Sequence, residues 1–106
     1  MSNKAIQYLF LMIEELFTNS IKHAFGQQEN PQINITLAKM GDNTIQLSYY
    51  DNGSGLKENY DFHQRNESEF EILLDLIHKL KGKWKAYNTQ GLSFKFDFDH
   101  QTLIAL

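Results

Sequence analysis

The chain has 106 residues, of which 42% are hydrophobic and 22% charged; that length and balance predict one domain with one modest core. It has no cysteine, which excludes disulfides, iron–sulfur clusters and thiol catalysis. Ten Lys and Arg against thirteen Asp and Glu give a net charge of −3 without any basic block, so nucleic-acid binding is not expected. The longest apolar run, Tyr8 to Ile13, is far short of the ~20 residues of a membrane helix. The Met-Ser-Asn-Lys start lacks the apolar stretch of a signal peptide. A cytoplasmic protein without membrane association is the expectation.

Apolar residues at Ile6, Leu9, Phe10, Ile13, Phe17, Ile21 and Ala24 recur every three or four positions. That spacing predicts a helix over about residues 3 to 25, with Ile6, Phe10, Ile13 and Phe17 on its core face. Ser2 is placed to cap it and Gly26 to stop it. A polar stretch ending in Pro31 follows, and the period then falls to two. Ile33, Ile35 and Leu37, a Gly41-Asp42-Asn43 turn, and Ile45, Leu47 and Tyr49 read as a hairpin with one buried face. Residues 51 to 67 read as a loop. A second helix is predicted over 68 to 81, with Phe70, Leu73, Leu74, Ile77 and Leu80 as its stripe. Ser68 and Glu71 have capping-box spacing, and Gly82 is its stop signal. A last hairpin pairs Trp84 to Tyr87 with Leu92 to Phe98 across a turn at 88 to 91. The expected fold class is α+β: a two-layer α/β sandwich with a mostly antiparallel mixed sheet and the helices on one face, spanning residues 1–106 as a single unit.

Two polar motifs stand out. Glu15, Asn19, Lys22 and His23 share one side of the first helix. By itself such a stripe reads as a solvated helix face. It also matches a metal–phosphate site, because carboxylate and amide oxygens suit Mg²⁺ while lysine and histidine suit phosphate oxygens. Asp51-Asn52-Gly53-Ser54-Gly55-Leu56 follows the second strand. Asp-Asn-Gly is a common turn; equally, its paired glycines would let backbone approach a ligand closely.

Together the motifs carry a resemblance. Glu15 to Phe25 (Glu-Leu-Phe-Thr-Asn-Ser-Ile-Lys-His-Ala-Phe) resembles the asparagine box of the GHKL superfamily, and Asp51 to Leu56 is similar to its first glycine box. Among GHKL proteins, the catalytic domains of bacterial sensor histidine kinases and the anti-sigma-factor serine kinases are most similar. The likeness covers about residues 5 to 98. It implies the Bergerat fold, with ATP held between a helical layer and a lid. By position, Asn19 would coordinate Mg²⁺ and Glu15 would orient or activate the attacking group. Lys22 and His23 would face phosphates, and Asp51 would accept from the adenine amine. Gly53 and Gly55 would line the base pocket, with Gly91 near the adenine opposite Asp51. A role in signal transduction of the two-component or anti-sigma-factor kind follows from the same likeness.

The sequence departs from the family at the second glycine box, which should open the second helix and offer its amides to phosphate. No glycine lies between Gly55 and Gly82, and Glu69-Phe70 stands where Gly-Leu is expected. Glu67, Glu69 and Glu71 add carboxylates that compete with a triphosphate for the helix N-terminus. Leu92 replaces the family's threonine after the late glycine. The expectation is an ATP and Mg²⁺-binding domain with a degenerate phosphate lid and weak or no kinase activity. The alternative is a non-catalytic pseudokinase or adaptor acting through protein–protein contacts. A regulatory protein partner is expected in either case, because Tyr8, Leu11 and Met12 read as an apolar patch beside Glu15; a homodimer along the first helix is a further option.

Overall fold

The computed structural model describes residues 1–24, 26, 29–54, 70–88 and 91–106, with the backbone alone at residues 23 and 24. The order is α1 (Asn3–Asn19), one π-helical turn (Ser20–Ala24), β1 (Ile33–Met40), β2 (Thr44–Asp51), α2 (Glu71–Lys79), β3 (Lys83–Asn88), β4 (Leu92–Asp99) and α3 (His100–Ala105). The strands form one sheet in the order β1-β2-β4-β3, and every pairing is antiparallel. The α+β class stands; the mixed sheet expected from sequence is antiparallel throughout the described residues.

The core lies between the sheet and the two long helices. Ile45, Leu47 and Tyr49 of β2 and Leu92, Phe94, Phe96 and Phe98 of β4 all point inward and are buried. In register, Leu47 faces Phe96 and Tyr49 faces Phe94. The rings of Phe94 and Phe96 stack at 5.3 Å, and Phe70 meets Phe94 edge-on at 5.4 Å. Such aromatic pairs add about 0.5–1.5 kcal/mol each beyond their buried area.

Helix α1 begins as expected, with Ser2 Oγ accepting from Ala5 N at 3.0 Å. Its buried face is different. Ala5, Leu9, Met12, Leu16 and then Ser20 are buried, whereas Phe10 is 67% exposed, Ile21 56% and Phe17 48%. The chain has two adjacent helical stripes, and periodicity cannot choose between them. The sheet chooses. Small residues at Ala5 and Ser20 let the helix approach closely, and Ser20 brings a hydroxyl to buried polar groups that an isoleucine would leave without a partner. Met12 and Leu11, read together as patch residues, part company: Met12 is wholly buried and Leu11 is exposed.

Helix α2 starts three residues later than expected. Its N-cap is Phe70, with no side-chain cap; Ser68 lies outside the described residues. Phe70 is instead held by burial of its ring. The left-handed residue that ends α2 is Lys81 (φ 54°), while Gly82 N donates to Ile77 O at 2.9 Å. Gly82 is needed for another reason, since a Cβ there would run into the Phe98 ring. The strand ending the predicted chain is followed by an unexpected helix, α3, capped by Asp99 Oδ1 accepting from Gln101 N at 2.8 Å. Its Leu103 is buried, and Leu103 O accepts from Ser2 N at 3.1 Å, which joins the two ends of the described chain. No helix among the described residues is long and apolar enough to cross a membrane.

The burial of α1 gives a direct contrast. Met12→Ala is expected to lower the unfolding free energy by about 2–5 kcal/mol, whereas Phe10→Ala should change it by less than about 0.5 kcal/mol. Urea denaturation of the two variants checks the assignment; equal losses would refute it.

Candidate functional site

The site is built where α1 ends over the end of β2. Antiparallel pairing and the period-two pattern put Asp51 on the inward side of β2, in line with Ile45, Leu47 and Tyr49. A carboxylate there must be satisfied locally, because burial without partners is costly. Asp51 is 1% exposed. Its Oδ1 accepts from Gly53 N at 3.0 Å and from Leu92 N at 3.2 Å. Its Oδ2 accepts from Ser20 Oγ at 2.8 Å. With the Ser20 hydrogen on Asp51, Tyr49 Oη donates to Ser20 Oγ at 2.6 Å, and the same phenol hydrogen is within reach of Leu16 O at 3.1 Å. One carboxylate, two hydroxyls and a helix carbonyl thus form a closed buried network. An ionised carboxylate has about four acceptor positions, and three of them are used here.

Burial pushes the Tyr49 phenol up to about 12; the hydrogen bond with Ser20 opposes that rise and the nearby Asp51 carboxylate adds to it. The π-helical turn starts at Ser20 itself. Such wide turns occur mostly as local bulges, frequently at functional sites.

The turn after β2 is tied to the segment before β1. Asn52 N donates to Gln32 O at 3.2 Å, Gln32 N donates to Asn52 Oδ1 at 2.7 Å, and Asn52 Nδ2 donates to Asn30 O at 2.9 Å. These bonds bracket Pro31, which has no N–H to give. Gly91 is buried against the same corner at φ +108°. A Cβ there would collide with the Asp51 carbonyl oxygen.

Asp51, Gly53 and Gly91 are therefore brought together, and the backbone of Gly53 serves Asp51 directly. Asn19 is the residue before Ser20, and it and Glu15 are half-buried. They share a flank of α1 with Tyr8, whose ring lies 5.7 Å from Lys79 Nζ of α2. That flank faces α2 and is separate from the exposed Phe10 and Phe17 stripe. Lys22 is exposed. The side chain of His23 and all of Gly55 lie outside the described residues, as do residues 57–67, where the resemblance implies the lid. Sequence reading missed Ser20, Tyr49 and Asn52 as parts of the site. The available signal was a serine inside an apolar helical row and a tyrosine inside an inward strand row. No group of three or more His, Asp or Glu side chains among the described residues is placed to hold a metal.

Two outcomes test this corner. Tyr49 binds its proton more tightly when folded, so its contribution is complete below about pH 10 and is lost as pH rises towards 12. A difference of about two pH units corresponds to about 2.7 kcal/mol. Tyr49→Phe should therefore cost about 1–2 kcal/mol at pH 7, with the gap to the parent narrowing above pH 10 in thermal melts. Gly91→Ala should cost about 2–4 kcal/mol through positive φ and collision with Asp51, read by chemical denaturation.

No family model and no curated protein matches this sequence. Solved structures do. The histidine kinase domain of the Erythrobacter litoralis EL346 blue-light activated histidine kinase superposes with a TM-score of 0.80 at 22% identity, over 95% of this chain and 48% of that one. A structure of the same EL346 kinase gives 0.83 at 20% identity, over 97% of this chain and 33% of that one. The chain spans less than half the length of either, and the likeness is one of fold.

Proposed function

We propose that this chain is a histidine-kinase-like ATP-binding domain of the GHKL type, acting in signal transduction, with weak or no kinase activity of its own. The observation that carries the reading is the buried Asp51 corner, a carboxylate held by Ser20, Gly53 and Leu92 beside the end of the helix that bears Glu15 and Asn19. The residues fit the nucleotide and its metal by donor chemistry. Asp51 would accept from the exocyclic amine of adenine, an acceptor matched to a donor. The amide oxygen of Asn19, a hard donor, would join Mg²⁺. Glu15, half-buried on the same flank, would orient the attacking group, and Lys22 and His23 would offer charge to phosphates. Bound Mg-ATP would supply the phosphoryl group.

Transfer is the weaker half. It depends on positioning and on neutralising charge at the moving phosphoryl group. The chain brings Glu71 to the first turn of α2 and no glycine between Gly55 and Gly82. Carboxylates at that helix start oppose a triphosphate.

A second reading, a non-catalytic adaptor that docks a regulatory protein or a second copy, is favoured by one observation. Phe10, Phe17 and Ile21 form an exposed apolar row along α1; apolar patches of that kind mark interaction surfaces.

Calorimetric titration separates the two. Mg-ATP is expected to bind with a dissociation constant on the order of 0.1–1 mM, to need magnesium, and to weaken at least about tenfold in Asn19→Ala and in Asp51→Asn, about 1.4 kcal/mol or more each. Thermal melts of both variants check that they fold. No heat at millimolar Mg-ATP from a folded chain would overturn nucleotide binding and leave the adaptor.

A further inference from the structure

The other face of the sheet carries a separate feature. Outward side chains of β2, β4 and β3 align in cross-strand rows: Gln46, Asp97 and Lys83 in one, Ser48, Lys95 and Lys85 in the next. A groove of about 460 Å³ runs over these rows, with Tyr87 also in its lining. Lys85 and Lys95 are direct partners across the β3–β4 ladder. Directly opposed like charges weaken a sheet. Their neighbours do not relieve them. Asp97, the one carboxylate in the lining, is engaged by Gln46, whose Nε2 donates to Asp97 Oδ1 at 2.9 Å. Among the described residues, no ion pair engages Lys83, Lys85 or Lys95. Three ammonium groups therefore converge on one groove beside the Tyr87 ring, in a chain whose net charge is −3; Trp84, between Lys83 and Lys85, turns to the core side in register with Phe96.

We propose that this groove docks a short acidic segment of a partner protein. Its carboxylates would meet Lys83, Lys85 and Lys95, and its non-polar atoms would lie on Tyr87. Charge complementarity commits the occupant to an anion. A short acidic peptide is favoured over nucleic acid, since the basic row is only three lysines wide and the chain as a whole carries a net charge of −3, which opposes a long run of phosphates. The groove is on the sheet face opposite the Asp51 corner, so the proposal stands or falls independently of ATP binding.

The test uses the intact chain and dye-labelled hexaglutamate, read by fluorescence anisotropy. Hexaglutamate is expected to bind, and to weaken at least fivefold between 20 and 200 mM salt, as an ionic contact must (roughly a threefold fall in screening length). Lys85→Ser and Lys95→Ser should each weaken it at least about fivefold while raising the melting temperature, because the opposed charges are relieved. Lys39→Ser, on the other side of the sheet, should leave binding unchanged. The proposal is overturned if hexaglutamate does not bind, if hexalysine binds equally, if Lys85→Ser binds like the parent, or if a ten-residue oligothymidylate is preferred.

Discussion

The hydrogen bond from Ser20 to Asp51 is the constraint around which this molecule is arranged. It joins the end of α1 to the end of β2 inside the core. A carboxylate on an inward strand position is tolerable only when its oxygens are engaged. Ser20, Gly53 and Leu92 engage them, and Tyr49 extends the network to the carbonyl of Leu16. The rotation of α1 about its own axis follows. If the helix turned to bury Phe10 and Phe17, the Ser20 hydroxyl would leave both Asp51 and Tyr49.

That rotation also sorts the surfaces. One flank of α1, with Tyr8, Glu15 and Asn19, faces α2 and adjoins the Asp51 corner. The other flank presents Phe10, Phe17 and Ile21 to solvent. Edge strand β1 adds exposed Ile35 and Leu37, in register with buried Tyr49 and Leu47. The far face of the sheet is polar and locally basic. The molecule thus has three chemically distinct surfaces: two flanks set by the rotation of α1, and a sheet face set by which alternate residues the pleat turns outward.

Part of the candidate site was legible in the sequence because it consists of contiguous motifs. Glu15 and Asn19 share a helix flank by spacing alone, and Asp51 and Gly53 lie within one turn. Gly91 could be placed near Asp51 only through the resemblance; the structure brings it against the Asp51 backbone. Ser20 and Tyr49 were illegible as site residues because their meaning arises from a contact between positions 29 apart. The Lys85–Lys95 opposition was hidden for a similar reason, since it depends on strand register across a turn.

The sequence by itself determined the order of the elements, the period-two alternation that makes one face of β2 and β4 apolar, and the amphipathic stripe of α2. These are local properties of spacing, and the backbone geometry of helix and strand converts spacing into faces. It did not determine which of two apolar stripes on α1 enters the core, that Phe70 rather than Ser68 heads α2, or that the chain continues from β4 into α3. Only the tertiary structure decided these. Each turns on a long-range requirement that spacing cannot express: Asp51 needs the Ser20 hydroxyl, Phe94 offers a partner for the Phe70 ring, and the core has room for Leu103 beneath the start of α1.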